Sequence, residues 1–122
     1  MELQKLHRDF SVCKVDDYSR VLLDAEYCFL GKTDEERSLV CLTSDVPEHT
    51  VAREDGWKGL RVQGTLDFSL VGILAEISSV LAAARISIFA LSTYNTDYIL
   101  IKEAEYQKAL SVLEESGYTI VG

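Results

Sequence analysis

Several residue types that build catalytic or metal sites are scarce in this chain of 122 residues. It has two histidines, His7 and His49, and three cysteines, Cys13, Cys28 and Cys41, with no C-x-x-C pair among them. No Ser-His-Asp or Cys-His set is recognisable, so no catalytic residue is assigned. The same shortage predicts no metal site and no cofactor. Each cysteine lies in a strand-like run, where a reduced thiol acts as a small apolar filler.

Long apolar segments and an excess of positive charge are also absent. No apolar run approaches the roughly 20 residues that span a bilayer, and residues 1–9 lack the apolar h-region of a signal peptide. Twenty acidic against twelve basic residues give a net charge of −8, and a field of this sign repels nucleic-acid phosphates and anionic lipid surfaces. The sequence therefore predicts a cytoplasmic protein without nucleic acid or membrane as a partner.

What the chain does contain is enough apolar residues, 48%, for a packed core. In the second half, periodicity and turn residues predict strands over residues 57–66, 86–91, 98–101 and 118–121, and helices over residues 69–84 and 103–116. This βαββαβ order is that of the ferredoxin-like α+β fold. The first half reads as an abbreviated version with shrunken helices. We predict an abbreviated N-terminal half over residues 1–57 and a full unit over residues 58–122.

One strand-to-helix junction, LDFSLVGIL at residues 66–74, carries a candidate anion site. Ser69 is a suitable N-cap, and the first N–H groups of a helix have no partner within it. Such a terminus attracts anions. Gly72 is predicted in the first helical turn, where it costs about 1 kcal/mol relative to Ala. Either a close approach of a ligand or neighbouring subunit, or a tight helix–sheet contact, would explain it.

Topology brings a second polar cluster to the same edge of the predicted sheet. The first and second strands of a split βαβ run parallel with the third between them, so the loop STYNTD (residues 92–97) lies two strand spacings, roughly 10 Å, from the junction. A zwitterion of amino-acid size could bridge the two, with its carboxylate on the helix N–H groups and its ammonium on Asp97. The loop is also typical of a simple hairpin turn, and Ser69 would then be only an N-cap.

Residues 66–77 followed by residues 86–101 resemble an ACT domain. More closely, they resemble the small bacterial tandem-ACT proteins related to the cytosolic arginine sensors, and they are similar to the ACT regulatory regions of aspartate kinases. The match covers residues 57–121, and the first half matches in pattern. In the family's turn, Asp-x-Pro precedes the glycine; here Ser69 and Val71 occupy the Asp and Pro positions, while Gly72 matches. This departure fits the arginine-sensor branch and leaves the ligand open.

The resemblance implies a non-catalytic regulatory module that binds a small ligand, often an amino acid, at an interface between ACT units, in a homodimer. Backbone groups of residues 70–73 would hold the ligand carboxylate, and the loop would receive the ammonium. The candidate ligand-binding residues are Ser69, Leu70, Val71, Gly72, Ile73, Ser92, Thr93, Asn95 and Asp97.

Two alternatives from other classes stay open. The apolar strand over residues 86–91 suits a ligand-free interaction or dimerisation module. Residues 61–64 superficially resemble acylphosphatase, an enzyme of the same fold with a phosphate-binding loop. However, Phe68 stands where that enzyme has a phosphate-binding Arg, and Asp67 beside it would repel phosphate. The acylphosphatase-like reading is therefore remote, and we predict that the protein is not an enzyme.

Overall fold

A computed structural model describes residues 1–63 and 72–122 of the chain. The strands of this part are β1 (Glu2–Lys14), β2 (Cys28–Lys32), β3 (Arg37–Leu42), β4 (Ala52–Val62), β5 (Ile88–Ser92), β6 (Asp97–Lys102) and β7 (Thr119–Val121), and its α-helices are α1 (Ile73–Ala83) and α2 (Glu103–Glu115). A single 3-10 turn covers Thr43–Asp45. These elements confirm the predicted α+β class. No described helix is long and apolar enough to cross a membrane.

The chain forms two compact units. Unit 1 consists of Met1–His7 and Lys58–Gly122, and unit 2 of Arg8–Trp57. Strands β1 and β4 each contribute residues to both units. The division into halves over residues 1–57 and 58–122 stays a prediction.

In unit 1 the strand order is β7–β1–β4–β6–β5. Strand β6 therefore lies between β4 and β5, as the split-βαβ argument predicts, and it forms an antiparallel hairpin with β5. The closing strand β7 pairs in parallel with the start of β1, with Leu3 opposite Ile120. No strand is predicted from the sequence over residues 2–8. Leu3 is fully buried, and burying this apolar side chain favours the added strand.

The two helices of unit 1 share one hydrophobic core with its sheet. Alternating positions of the strands and one face of each helix meet there. The core residues are Leu3, Leu60, Val62, Ile77, Leu81, Ile86, Ile99, Ile101, Ala109, Leu110, Leu113 and Tyr118. Each helix thus buries one face, with Ile77 and Leu81 buried from α1, and Ala109, Leu110 and Leu113 from α2.

In unit 2 the strand order is β2–β3–β1–β4. This is the ferredoxin-like order, with the third strand between the first and the second. Where a complete ferredoxin-like unit has its two helices, this unit has the turns of residues 15–27 and the 3-10 turn Thr43–Asp45. The structure therefore confirms the predicted abbreviated half with shrunken helices.

The three cysteines lie on the strands of unit 2, and their thiols are free. Cys13 and Cys41 are buried with Val15 and Leu39, and the half-buried Cys28 packs against this cluster. Burial raises the pKa of all three thiols, that of Cys41 to about 12. Because a protonated thiol is a weak nucleophile, their prediction as apolar fillers is confirmed.

Candidate functional site

The β5–β6 hairpin carries the polar loop that the sequence singled out. Ser92 and Asp97 are paired across the hairpin, and Ser92 Oγ donates a hydrogen bond to Asp97 Oδ1 at 2.7 Å. Thr93 N donates to the Thr96 carbonyl oxygen at 2.9 Å, and Thr93 Oγ1 donates to the same oxygen at 3.0 Å. The loop is therefore a well-bonded hairpin turn. Exposed Ser92, Thr93 and Asn95 stand on its surface.

Thr96 fastens this hairpin to the end of β4. Its hydroxyl Oγ1 donates to the carbonyl oxygen of Val62, the last residue of β4, at 2.8 Å. Only 6% of Thr96 is exposed. The bond shows that the hairpin turn lies beside the end of β4, the strand that precedes α1. The topological argument predicts that the two lie at one edge of the sheet. Asn95 and Asp97, on either side of Thr96, are among the predicted site residues, but Thr96 is not. A threonine in a polar turn gives no sign in the sequence that it is buried.

Removal of the Thr96 hydroxyl is expected to destabilise unit 1. In Thr96→Val the buried Val62 carbonyl loses its partner, which costs about 1–3 kcal/mol. Thr96→Ser keeps the hydroxyl and should cost about 1 kcal/mol or less through its lost methyl group. Urea unfolding of the two variants measures the difference. A Thr96→Val protein as stable as Thr96→Ser would show that the bond contributes nothing.

The start of α1 is the other described part of the candidate site that the sequence predicts. The helix begins at Ile73, and its N-cap is Gly72, in the left-handed region with φ of +82°. Glu76 N donates to the Gly72 carbonyl oxygen at 2.8 Å. Placing Gly72 inside the first helical turn was therefore wrong. The predicted N-cap Ser69 and the candidate residues Leu70 and Val71 lie outside the described residues.

The geometry of Gly72 also decides why glycine stands there. A Cβ atom built at this position meets no described heavy atom within 4 Å, so the described residues show no tight helix–sheet contact. The positive φ is itself sufficient, because residues with a Cβ rarely adopt it. The closely approaching ligand or subunit considered from the sequence stays a hypothesis. Asp67 and Phe68, which bear on the acylphosphatase-like alternative, lie outside the described residues.

The two described parts of the candidate site carry charges of opposite sign. The N-terminus of α1 carries a partial positive charge, and Asp97 supplies a carboxylate that is partly exposed. Glu76, in the first turn of α1, accepts a hydrogen bond from the Tyr118 hydroxyl at 2.7 Å. Burial and this bond raise the pKa of Tyr118 to about 12. Glu76 is thus engaged in holding α1 to the residue before β7.

Arg61 lies beside the edge on the opposite face of the sheet from Val62. Its Nη2 donates to Gln4 Oε1 at 2.6 Å, and its guanidinium carbon lies 5.9 Å from the ring centroid of Tyr98. Arg61 directly precedes Val62 in β4, and Tyr98 directly follows Asp97 in β6. This cation–π pair therefore links β4 to β6 beside the edge.

The corresponding hairpin of unit 2 repeats the backbone of this loop with different chemistry. Thr33 N donates to the Glu36 carbonyl oxygen at 2.9 Å, the same bond that Thr93 makes to Thr96. At the closing positions, however, Lys32 pairs with Arg37. Cations stand where unit 1 has a hydroxyl and a carboxylate. The Ser92–Asp97 pair therefore has no counterpart at the closing positions of the unit 2 hairpin, although that loop carries the carboxylates of residues 34–36.

Among the described residues, no group of three His, Cys, Asp or Glu side chains is placed to hold a metal ion. The hydrogen-bonding groups of the edge are hydroxyls, an amide and a carboxylate. They can bind an organic cation or a zwitterion through directed hydrogen bonds.

The chain is similar in sequence to an animal amino-acid sensor. It is 31% identical over 106 residues to the human protein named cytosolic arginine sensor for mTORC1 subunit 1, and the bovine protein of that name matches equally. The alignment covers 86% of this chain and 29% of the human protein. The chain therefore spans less than a third of the length of these relatives.

Solved structures share the fold at lower sequence identity. A protein from Agrobacterium tumefaciens superimposes with a TM-score of 0.85 at 24% identity, over 98% of this chain and 91% of that one. The aspartate kinase of Clostridium acetobutylicum gives a TM-score of 0.65 at 11% identity, over 92% of this chain and 32% of that enzyme. The profile of the ACT domain matches residues 52–115, more than half of the chain. These residues include α1 and the β5–β6 hairpin, and the chain belongs to the ACT domain family.

Proposed function

We propose that this protein is a non-catalytic regulatory module that senses an amino acid at the edge of unit 1, between the start of α1 and the β5–β6 hairpin. The observation that carries the proposal is the hydrogen bond from Thr96 to Val62, which holds the polar hairpin against the end of β4. Two relatives support it. One is named as an arginine sensor, and an aspartate kinase of the same fold is described as allosteric.

The ligand carboxylate is assigned to the N-terminus of α1. The first N–H groups of α1, at Gly72, Ile73, Leu74 and Ala75, are donors of the type that helix termini present to anions. Ser69, Leu70 and Val71, which lie outside the described residues, stay candidates for holding the carboxylate. The assignment of Ser69, Leu70 and Val71 to the site rests on the sequence and the family alone.

The ligand ammonium is assigned to Asp97, with Ser92, Thr93 and Asn95 as neighbouring acceptors. Asp97 Oδ1 already receives the Ser92 hydroxyl, but a carboxylate has about four acceptor positions and can take further donors. The net charge of −8 favours a cationic amino acid over an anionic one. We therefore expect arginine or lysine to be the first ligands worth testing.

We further propose that the protein works in the cytoplasm as a homodimer, with residues 1–57 and 58–122 as tandem ACT-like halves. Strand β5 ends the strand order of unit 1 and exposes a ladder edge of the kind through which sheets pair. A ligand-free dimerisation module is the second candidate. The half-buried Ile88 and Phe89 of β5 favour it, since apolar side chains there could be covered by another chain.

A thermal-shift series separates these proposals. Each of the 20 amino acids is added at millimolar concentration to the unchanged protein and to Asp97→Asn. A ligand at 100 times its Kd stabilises by about 2.7 kcal/mol, so at least one amino acid should raise the Tm of the unchanged protein. Asp97→Asn should lose that shift, because it keeps the acceptor for Ser92 and removes the charge that the ammonium needs.

Asp34→Asn is the matched control, because Asp34 lies in the equivalent exposed loop of unit 2. Its replacement changes the net charge by the same amount as Asp97→Asn does. It should keep the shift. If no amino acid shifts the Tm, and sedimentation shows a dimer unaffected by them, the ligand-free module is supported instead. A full shift in Asp97→Asn would remove Asp97 from the site.

A further inference from the structure

Unit 2 displays two adjacent leucines at the place where a complete ferredoxin-like unit has its first helix. Leu22 is 56% exposed and Leu23 is 61% exposed. They lie in the connection between β1 and β2, in which Val21 N bonds to the Tyr18 carbonyl oxygen at 3.2 Å and Ala25 N to that of Leu22 at 3.1 Å. The leucines therefore sit on hydrogen-bonded turns.

Both ends of this connection are anchored. Tyr18 and Val21 pack against the core of unit 2, and the Tyr18 hydroxyl donates to the Ser38 carbonyl oxygen at 3.1 Å. At the other end, Glu26 forms an ion pair with Arg8. The exposure of the two leucines is thus a product of the fold. Burying the two leucine side chains would be favourable, but the described part of unit 2 leaves more than half of each exposed.

The leucines line a groove of about 730 Å³, which we call the acidic leucine groove. Its lining residues are Val21, Leu22, Leu23, Asp24, Ala25, Glu26 and Asp45. Three of these are carboxylates. Glu26 is paired with Arg8, while Asp24 and Asp45 form no salt bridge with any described residue. A groove with an apolar floor and negative charge beside it is complementary to a partner that combines apolar and basic groups.

The shape of the groove favours a protein segment over a small molecule. A small-molecule site typically buries 70–90% or more of its ligand, whereas the leucines of this groove are more than half exposed. Apolar patches rimmed by polar groups on an otherwise charged surface mark protein-docking sites. A second copy using the same groove is disfavoured, because two-fold symmetry would set its carboxylates against one another.

We propose that the acidic leucine groove docks a segment of a partner protein in which an apolar side chain is flanked by Lys or Arg. The apolar side chain lies on Leu22 and Leu23, and the basic groups lie against Asp24 and Asp45. The residues that line this groove all belong to unit 2, and none of them is assigned to the ligand edge of unit 1. The proposal therefore stands or falls independently of amino-acid sensing.

The test is a selection of phage-displayed random 12-residue peptides on the unchanged full chain, with counterselection on Leu22→Ser/Leu23→Ser. We expect enriched peptides that combine Leu, Ile or Phe with Lys or Arg. Synthetic copies should bind the double variant at least about tenfold more weakly, because the apolar contact is lost. Their binding to Asp24→Asn/Asp45→Asn should fall several-fold and lose most of its dependence on salt.

Tyr94→Ser is the matched control, since it removes an apolar side chain that is 83% exposed in unit 1, and it should bind the peptides normally. No enrichment, acidic peptides, or equal binding to the double variant would overturn the proposal. Self-association of the unchanged chain that the double variant abolishes would also overturn it, in favour of a second copy. The double variant should keep its Tm and any amino-acid shift, which separates this test from that of the ligand edge.

Discussion

Phe10→Ala is expected to lower the free energy of unfolding by about 3–5 kcal/mol. Phe10 is the largest fully buried side chain of the described residues, with 0% exposure. Its ring meets that of Tyr27 edge-on, with centroids 5.3 Å apart and planes at 70°. Truncation removes both the apolar burial and this aromatic contact. Because small domains are stable by only about 5–15 kcal/mol, this loss is a large fraction of the free energy of unfolding.

Urea unfolding followed by circular dichroism measures this loss, and two further variants assign it. Phe10→Leu keeps most of the volume and should cost about 1–2 kcal/mol. A double-mutant cycle with Tyr27→Leu should give a coupling of about 0.5–1.5 kcal/mol from the ring contact. Tyr94→Ala truncates an aromatic ring that is 83% exposed and should change stability by about 0.5 kcal/mol or less. A Phe10→Ala protein as stable as Tyr94→Ala would contradict the burial of this ring.

Leu81→Ala should cost about 2–5 kcal/mol in unit 1. Leu81 is fully buried on the inner face of α1 and belongs to the core that joins both helices to the sheet. Its backbone carbonyl also receives the N–H of Ile86, at 3.0 Å, where the chain leaves the helix towards β5. Loss of its side chain leaves a cavity under the helix whose N-terminus we assign to the ligand carboxylate.

Leu23→Ala is the matched control for this variant, because it removes the same atoms from a leucine that is 61% exposed. Its stability should stay within about 0.5 kcal/mol of the unchanged protein. The amino-acid-dependent thermal shift should diminish in Leu81→Ala and persist in Leu23→Ala. Equal stability of the two variants would mean that the core of unit 1 does not depend on α1 as the structure indicates.

The two hairpins show how one backbone pattern serves different chemistry in the two units. Thr33 and Thr93 make the same backbone bond across their loops. The paired residues that close the loops are Lys32 with Arg37 in unit 2 and Ser92 with Asp97 in unit 1. Of the two closing pairs, the second presents a carboxylate to a ligand ammonium, and the first presents two cations. Amino-acid sensing is therefore proposed for unit 1, and partner docking for unit 2.

The strands and helices of unit 1 could be predicted well because local patterns decide them. Apolar residues at helical spacing predict the two helices, and Leu81 and Leu113 of these helices are fully buried in the core. The paired hairpin and its position next to β4 followed from the rule for a split βαβ. What could not be predicted was the partner of β7, because strand pairing between residues more than 100 positions apart leaves no local signal.

The α+β class, the ACT family resemblance and the position of the polar loop beside β4 follow from the amino-acid sequence alone, since periodicity, turn residues and chain order can be read along the chain. Three other features depend on contacts between distant segments. Thr96 is a buried anchor because Val62 lies within reach of its hydroxyl. Gly72 caps α1 because its backbone takes a positive φ. Leu22 and Leu23 are exposed because nothing in the described part of unit 2 folds over them. Each depends on which distant segments meet, and sequence spacing does not record that.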